Sequence, residues 1–287
     1  MSKTLNVVFT IDENYIQHFT VTLVSLLENN KNIKVRAYVI LNIKDFSILN
    51  KIIEFFKNVY DTELSYIIVE DSMFSKYKIS HHLSIAVYYR LLFSDLLPNT
   101  IDRLLYLDSD TLVTGSLQEF LSVDFKDNYI AAIRDTPEDL ESNIPSLKAI
   151  GIPIDDYFNA GVMLINLKLW RLENISSKLI NIANEYMDRI TWWDQDILNI
   201  CFLNRWCHLD SKYNALKLTE KCNDLPVIIH YNTHTKPWHY LNYHPYKYLY
   251  WQYIKLTPFK NAKIQEFKFK RLAKKIIYKV MNKKYKI

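Results

Sequence analysis

Apolar residues fall into two alternating rhythms along the first seventy positions. Leu5 to Ile11, Ile33 to Leu41 and Leu64 to Val69 are short runs rich in β-branched and aromatic side chains, the pattern of strands. Ile16 to Leu27 and Phe46 to Phe56 repeat apolar positions every three to four residues, the pattern of helices. This βαβαβ order predicts a parallel sheet covered by helices, with ligands beyond the carboxyl ends of its strands. Ser84 can cap a helix expected over Ile85 to Leu96, which Pro98 ends, and Leu104 to Leu107 reads as a buried strand. Further strands are expected at Tyr129 to Ile133, Val162 to Leu167 and Val227 to Ile229, and helices near Ser177 to Met187 and Asp194 to Leu203. Residues 232–248, dense in Pro, His, Tyr and Trp, read as an irregular aromatic loop.

The 287 residues are 49% apolar and include 21 Tyr, 14 Phe and 6 Trp, enough to bury a sizeable core and to exclude a disordered or collagen-like chain. Gly115, Gly151 and Gly161 are the only glycines, so neither the G-x-G-x-x-G fingerprint nor the phosphate loop of P-loop NTPases can be written in this sequence. Cys201, Cys207 and Cys222 are odd in number and lack C-x-x-C spacing, which argues against a disulfide framework or structural zinc and for a reducing compartment. The N-terminus passes at once into the first strand, too short a run for a signal peptide, and no segment approaches the ~18–20 apolar residues of a membrane span. A cytoplasmic location is expected. The net charge of +5 is concentrated at the C-terminus: residues 260–287 hold ten lysines and Arg271 against Glu266, so the rest of the chain is net acidic. One large domain over residues 1–258 and a basic tail over 259–287 follow.

The strongest local chemistry is Leu107-Asp108-Ser109-Asp110, two carboxylates one residue apart after an apolar strand. On an extended backbone both point the same way and can reach one cation, Mg²⁺ or Mn²⁺, able in turn to hold a diphosphate. A bare D-x-D can equally open a solvated turn. At the end of the last expected strand stand His230 and, six residues on, Lys236-Pro237-Trp238. An imidazole beside two carboxylates suits Mn²⁺ better than Mg²⁺, and Lys236 would place a point charge on a phosphate. A metal-dependent phosphatase or nucleotidyltransferase could use the same acids. A nucleic-acid or membrane-binding module is suggested only by the tail.

Six segments taken in order resemble the retaining glycosyltransferases of family 8. They are Asp12-Glu-Asn14-Tyr15, Tyr88-x-Arg90-Leu91, Leu105-Tyr-Leu-Asp108-Ser-Asp110, Phe158-Asn-Ala-Gly-Val-Met-Leu-Ile-Asn-Leu167, Asp194-Gln-Asp-Ile-Leu-Asn199 and His230-Tyr-x-x-x-x-Lys236-Pro-Trp238. The family includes bacterial lipo-oligosaccharide galactosyl- and glucosyltransferases and glycogenin, and the resemblance spans roughly residues 5–240. It implies an α/β GT-A fold: one Rossmann-like nucleotide-sugar-binding domain with a mixed central sheet. It also implies a UDP-hexose donor, a saccharide acceptor and Mn²⁺, with Mg²⁺ as the other candidate. Asp108, Asp110 and His230 match the family's metal ligands, Lys236 its phosphate contact, and Asp12 and Asn14 its uridine contacts. Ser109 and Ala160 join the donor-binding set. Arg90, Asn159, Asp194 and Gln195 match positions around the sugar and anomeric carbon, with Gln195 and Asp194 as the catalytic pair. Asp135 and His82 match positions on the acceptor or sugar side. Where the family commonly has glycine between the histidine and the lysine, this chain reads Asn232-Thr-His-Thr235.

Each residue also has an ordinary structural reading. Asp194 can cap the helix that follows it, Arg90 can be a solvated helix residue, Asn159 with Gly161 can form a tight turn, and Asp12 with Asn14 can end a strand. In the tail, Phe269, Leu272, Ala273, Ile276, Ile277, Val280 and Met281 make a single apolar stripe on a helix, with lysines on the other faces. The expected partner is an anionic membrane surface bound through residues 260–287, on the inner face of the membrane. Nucleic acid is not expected, because the rest of the chain lacks a matching basic face.

Overall fold

The computed structural model describes residues 4–79, 84–142 and 144–265. The expected order opens the chain: β1 (Thr4–Ile11), α1 (Ile16–Asn29), β2 (Lys34–Leu41), α2 (Ser47–Tyr60) and β3 (Glu63–Ile68). Residues Ile85–Leu92 then form a 3₁₀ helix that passes into one α-helical turn, α3 (Phe93–Leu96), rather than the single α-helix expected there. Ser84 lies in extended backbone and makes no side-chain cap, but Leu97 is extended as the residue before Pro98 must be. After it come β4 (Arg103–Leu107), β5 (Thr111–Val113), β6 (Ile130–Arg134), α4 (Pro137–Ser142), α5 (Ile144–Ala149), β7 (Phe158–Asn166), α6 (Leu167–Leu172), α7 (Ile175–Tyr186), α8 (Trp193–Cys201), β8 (Trp206–His208), β9 (Ile228–His230) and α9 (Lys247–Ile254). Periodicity missed the three-residue strands β5 and β8 because they are too short to show alternation. It missed α9 because aromatics surround that helix on most sides.

Among the described residues the main sheet has seven strands in the order β3-β2-β1-β4-β7-β6-β8. β1 pairs in parallel with β2 and β4, β2 with β3 and β6 with β8, while β7 runs antiparallel to both β4 and β6. Strand order turns back at β1 and β4, so their carboxyl ends open a crevice of the kind in which α/β sheets bind ligands. Reversal of β7 brings its amino end, Phe158 to Gly161, to the same edge.

Two apolar clusters cover the two faces of the sheet, one with Phe9, Phe19, Phe56 and Leu105, the other with Tyr88, Phe93, Tyr106, Trp170 and Phe202. α1 is buried along almost its whole length. It packs one face on the main sheet and turns Val21 toward a third cluster with Leu112, Ile229, Trp238 and Tyr250. The cost of burying its polar residues is offset by the small sheet beside it: Thr22 Oγ1 donates to the Thr111 carbonyl at 2.7 Å and Val113 N donates to Ser25 Oγ at 2.9 Å. That small sheet pairs β5 with β9, with Thr111 directly opposite His230. Residues 259–265 pack back on the body, Gln265 N donating to the Trp238 carbonyl at 2.8 Å. The amphipathic stripe from Phe269 to Met281 lies outside the described residues.

Candidate active site

β4 ends at Leu107, and the chain then turns sharply. Thr111 N and Thr111 Oγ1 both donate to the Asp108 carbonyl, at 3.1 and 2.7 Å. The two carboxylates therefore converge through a closed turn and not, as expected, through extended backbone. The turn is no solvated surface feature, because Ser109 is buried within it. Tyr231 N donates to the Asp110 carbonyl at 2.9 Å, which locks the turn to the end of β9.

This arrangement places His230 Nε2 at 3.2 Å from Asp110 Oδ1 and 3.7 Å from Asp108 Oδ2. Ligand atoms of the three residues lie within 4.8 Å of one another, so one ion could contact all three. Two carboxylates and an imidazole are a donor set for a first-row divalent cation. Gly161 makes the approach possible: a Cβ there would stand 2.2 Å from His230 Cε1 and 2.7 Å from Asp108 Oδ2. The Ser109 hydroxyl, buried and without a hydrogen-bond partner, is an orphaned polar group at the same turn. The residues fit a cation with a polar ligand beside it.

Fixed cations frame the cluster. Lys236 Nζ donates to Asp110 Oδ2 at 2.5 Å and to the Tyr231 carbonyl at 2.7 Å, and holds the Asp110 carboxyl far below the usual carboxylate range against the opposing effect of burial. Arg90 is buried, not solvated; Nη2 donates to Asp108 Oδ1 and Nη1 to the Ala160 carbonyl, each at 3.0 Å. Its guanidinium lies 4.2 Å over the Tyr106 ring, whose hydroxyl also donates to Asp108 Oδ1.

Arg90 Nε reaches 3.1 Å from Asp194 Oδ2, which joins the acidic turn to the start of α8. Asp194 does not cap that helix; it sits in the first turn, with Trp192 at the cap position. Burial pushes its carboxyl up to about 7, against the pull of Arg90. The next residue, Gln195, is fixed at both ends of its amide. Ala160 N donates to Oε1 at 3.0 Å, and Nε2 donates to Asp135 Oδ2 at 2.9 Å and to the Tyr157 hydroxyl at 3.2 Å. Burial raises Asp135 above the usual carboxylate range. Both backbone polar groups of Ala160 are thus committed within the protein. Asn159 and Gly161 lie in β7 rather than in a tight turn.

Several supporting residues carry no role of their own in the sequence pattern. Asp196 accepts from Thr191 N, Trp192 N and the Tyr157 hydroxyl, at 2.7, 2.8 and 2.5 Å. It thereby clamps a turn in which Trp193 takes φ +42°, a left-handed conformation costly for a bulky residue. Asn214 joins His230 to Asn159. Its only signal was position after Tyr213 in an irregular segment, and turns of that kind carry no period. Trp238 stacks on His18 at 3.5 Å between centroids, and burial lowers the His18 imidazole to about 3, so that ring is neutral. Asp12 and Asn14 stand at the end of β1, where Asn14 N donates to Asp12 Oδ1 at 2.8 Å; this is the strand-ending role, with the Asn14 side chain left exposed. His82 lies outside the described residues.

A family model described as "Glycosyl transferase family 8" matches residues 6–242. A lipopolysaccharide 1,2-glucosyltransferase of Escherichia coli is 32% identical over 83% of this chain and 74% of its own. A lipopolysaccharide 1,3-galactosyltransferase of Salmonella typhimurium is 32% identical over 82% and 73%. The galactosyltransferase LgtC, solved with donor and acceptor sugar analogues, superposes with a TM-score of 0.79 at 26% identity, over 88% of this chain and 96% of that one. The mixed sheet with its switch-point crevice is accordingly the GT-A architecture, and the chain belongs to glycosyl transferase family 8.

Proposed function

We propose that the protein transfers a hexose, galactose or glucose, from UDP to a hydroxyl of a saccharide acceptor, with retention at the anomeric carbon and with Mn²⁺ as the preferred cation. The acceptor class is a cell-surface or lipid-linked glycan, in keeping with the lipopolysaccharide transferases among the relatives. Membership of a glycosyltransferase family removes the phosphatase and nucleotidyltransferase readings of the Asp-x-Asp turn.

One observation carries the reading: a cation-competent cluster of Asp108, Asp110 and His230 stands on one side of Arg90, and Asp194 with Gln195 stands on the other. A nucleoside diphosphate on the cluster would therefore leave its sugar against α8. A divalent cation held by Asp108, Asp110 and His230 would supply Lewis-acid stabilisation of the leaving diphosphate. Lys236, at hydrogen-bond distance from Asp110, can turn its ammonium to a phosphate oxygen and add charge where charge develops. Asp12 and Asn14, at the end of β1, would meet the uridine.

On the sugar side Asp194 accepts from sugar hydroxyls in its ionised form and sets the ring's orientation. Gln195 Oε1, with one lone pair on Ala160 N, offers the other to positive character at the anomeric carbon. The acceptor hydroxyl then attacks the anomeric carbon from the face that UDP leaves, within a tight ion pair, as the bond to the diphosphate breaks and the hydroxyl proton passes to the departing phosphate oxygen. A covalent adduct through the other carboxylate oxygen of Asp194, whose Oδ2 lies 3.1 Å from Arg90 Nε, is the competing route. Assay of the purified chain with UDP-galactose and UDP-glucose, with Mn²⁺, Mg²⁺ or EDTA, tests the proposal. Full turnover in EDTA, or no turnover of either donor, overturns it.

The tail, residues 260–287, is proposed to hold the enzyme on an anionic membrane surface at the cytoplasmic side. No helix among the described residues is long and apolar enough to cross a membrane.

A further inference from the structure

The buried hydrogen bonds beneath the cation cluster can be oriented from a single fixed donor. Gly161 N can only donate, so the Asn159 atom 3.1 Å from it acts as acceptor, Oδ1. Asn214 turns its Nδ2 to that same oxygen at 2.9 Å, which leaves its Oδ1 facing His230 Nδ1 at 3.0 Å. An amide oxygen only accepts, so Nδ1 of His230 carries a proton, and in the neutral ring Nε2 is a bare lone pair. That lone pair faces Asp110 Oδ1 and Asp108 Oδ2. With the neutral ring, three electron-rich atoms converge on one point with no proton among them, which is the electrostatic signature of a cation site.

We infer that Asn214 is a positioning residue: it fixes His230 in the Nδ1–H tautomer and so presents Nε2 to the cation. The inference rests on the metal reading of the site given above. Asn214 and His230 are both buried, so leaving either polar group without its partner carries a desolvation cost. The same amide extends the link to the sugar side. Asn159, held by Gly161 N and Asn214, directs Nδ2 toward Asp135 Oδ1 at 3.4 Å, and Asp135 Oδ2 accepts from Gln195 Nε2. A turned Asn214 amide would offer a donor to a donor at His230 and an acceptor to an acceptor at Asn159, so both ends register its orientation. Outer partners of metal-bound histidines act through tautomer and ring orientation, and their loss typically weakens metal binding by about 10- to 100-fold.

The test uses the full chain and two variants. Asn214→Leu removes both hydrogen bonds, whereas Asn214→Asp keeps an acceptor for His230 and loses the donor to Asn159. Mn²⁺ affinity is measured calorimetrically without donor. Separately, ¹⁵N-histidine-labelled wild-type protein is examined by long-range ¹H–¹⁵N NMR without metal, at a pH where the ring is neutral, with His230→Asn for assignment. The expected results are an Nδ1–H ring for His230 and Mn²⁺ binding about 10- to 100-fold weaker in Asn214→Leu. For Asn214→Asp, Mn²⁺ affinity should be largely retained while kcat at saturating Mn²⁺ falls. An Nε2–H tautomer, or wild-type Mn²⁺ affinity in Asn214→Leu, overturns the inference while the metal reading stands. Failure of the wild-type chain to bind Mn²⁺ overturns both. The tautomer measurement needs no variant at position 214, so poor folding of Asn214→Leu does not remove the test.

Discussion

Gly161 and His230 pack so closely that a methyl group on the glycine would lie 2.2 Å from the imidazole Cε1. The same methyl would meet Asp108 Oδ2 at 2.7 Å, so two of the three ligand residues must move to admit it. Gly161→Ala is expected to cost about 1–3 kcal/mol of stability through overpacking. A displacement of ~1 Å at the cluster lowers turnover by roughly 100-fold. Thermal unfolding and UDP-release kinetics on the same preparation check both parts. Normal turnover would show that the histidine is not held where the reaction needs it.

Asp108 and Asp110 are expected to be separately indispensable, because each has its own fixed cation as well as a share of the cluster. Arg90 serves Asp108, and Lys236 serves Asp110. Asp108→Asn and Asp110→Asn should each lower kcat/KM for the donor by at least about 100-fold. His230→Ala should do less damage, since water can replace one ligand, and excess Mn²⁺ should partly restore it. Initial rates against Mn²⁺ concentration distinguish the three. A rate independent of Mn²⁺ in all variants would remove the cation from the mechanism.

The carboxyl of Asp194 gives the site its pH dependence. Burial holds it at about 7, well above the ordinary 3.8 of an exposed aspartate. The ionised form is the one that accepts sugar hydroxyls, so activity is expected to fall about tenfold per unit as pH drops below about 7. For stability the sign runs the other way: between about 4 and 7 the folded chain holds a proton that the unfolded chain releases, so this residue's contribution is lost as pH rises across that window. Asp194→Asn should abolish that stability loss and flatten the acid limb of whatever activity remains. An unchanged acid limb would assign the titration to another group.

The elements that keep a regular period were legible in the chain: β1 to β3, β4 and β7 declared themselves as apolar runs, and the Asp-x-Asp after Leu107 stood where a parallel sheet opens its crevice. What resisted reading were contacts made by the fold over long sequence separations. Arg90 shows no local sign of burial; it is buried because α8 and the end of β4 close on it. Asn214 sits in an irregular stretch and gains its meaning only from His230 and Asn159. The 3₁₀ form of Ile85–Leu92 was hidden because its side chains satisfy a helical period under either geometry. Tyr106 was readable in principle: it stands two positions before Asp108, which allows its hydroxyl to share that carboxylate with Arg90.

Gln195 is tied down by three hydrogen bonds, which separates a chemical role from a binding one. Gln195→Ala is expected to lower kcat by about 10- to 1,000-fold with little change in KM for the donor, the pattern of an interaction made mainly in the transition state. Lys236→Ala should change both constants, because its charge meets the phosphates in ground and transition states alike. Steady-state kinetics at fixed saturating acceptor measures the split. A rise in KM alone for Gln195→Ala would make it a binding residue.

Gln265, the last described residue, lies at a surface suited to the membrane that the tail is proposed to bind. Gln265 is pinned between Trp238 and Tyr240 by Gln265 N to the Trp238 carbonyl and Tyr240 N to the Gln265 carbonyl. Tyr240 and Tyr243 are exposed there, 65% and 86%. Lys247, which caps the Tyr240 segment through backbone carbonyls, lines a groove of about 560 Å³ with Pro245, Tyr248, Trp251, Gln252 and Lys255. From residue 237 to 265 the chain holds four lysines and no acid. Tyrosine, tryptophan and lysine together suit a bilayer interface, where rings sit at headgroup level and each basic group near an anionic leaflet contributes about 1 kcal/mol. The full chain is expected to co-sediment with phosphatidylglycerol vesicles at low salt and to be released at high salt. Replacing Lys270, Arg271, Lys274 and Lys275 with glutamine should weaken that binding by at least about 100-fold while donor hydrolysis in solution stays unchanged. Tyr243→Ser with Tyr248→Ser, in the otherwise native chain, should weaken it by a smaller factor. Undiminished binding after the tail substitutions would assign membrane contact to the body alone, and no binding of the native chain at low salt would remove the membrane as its partner.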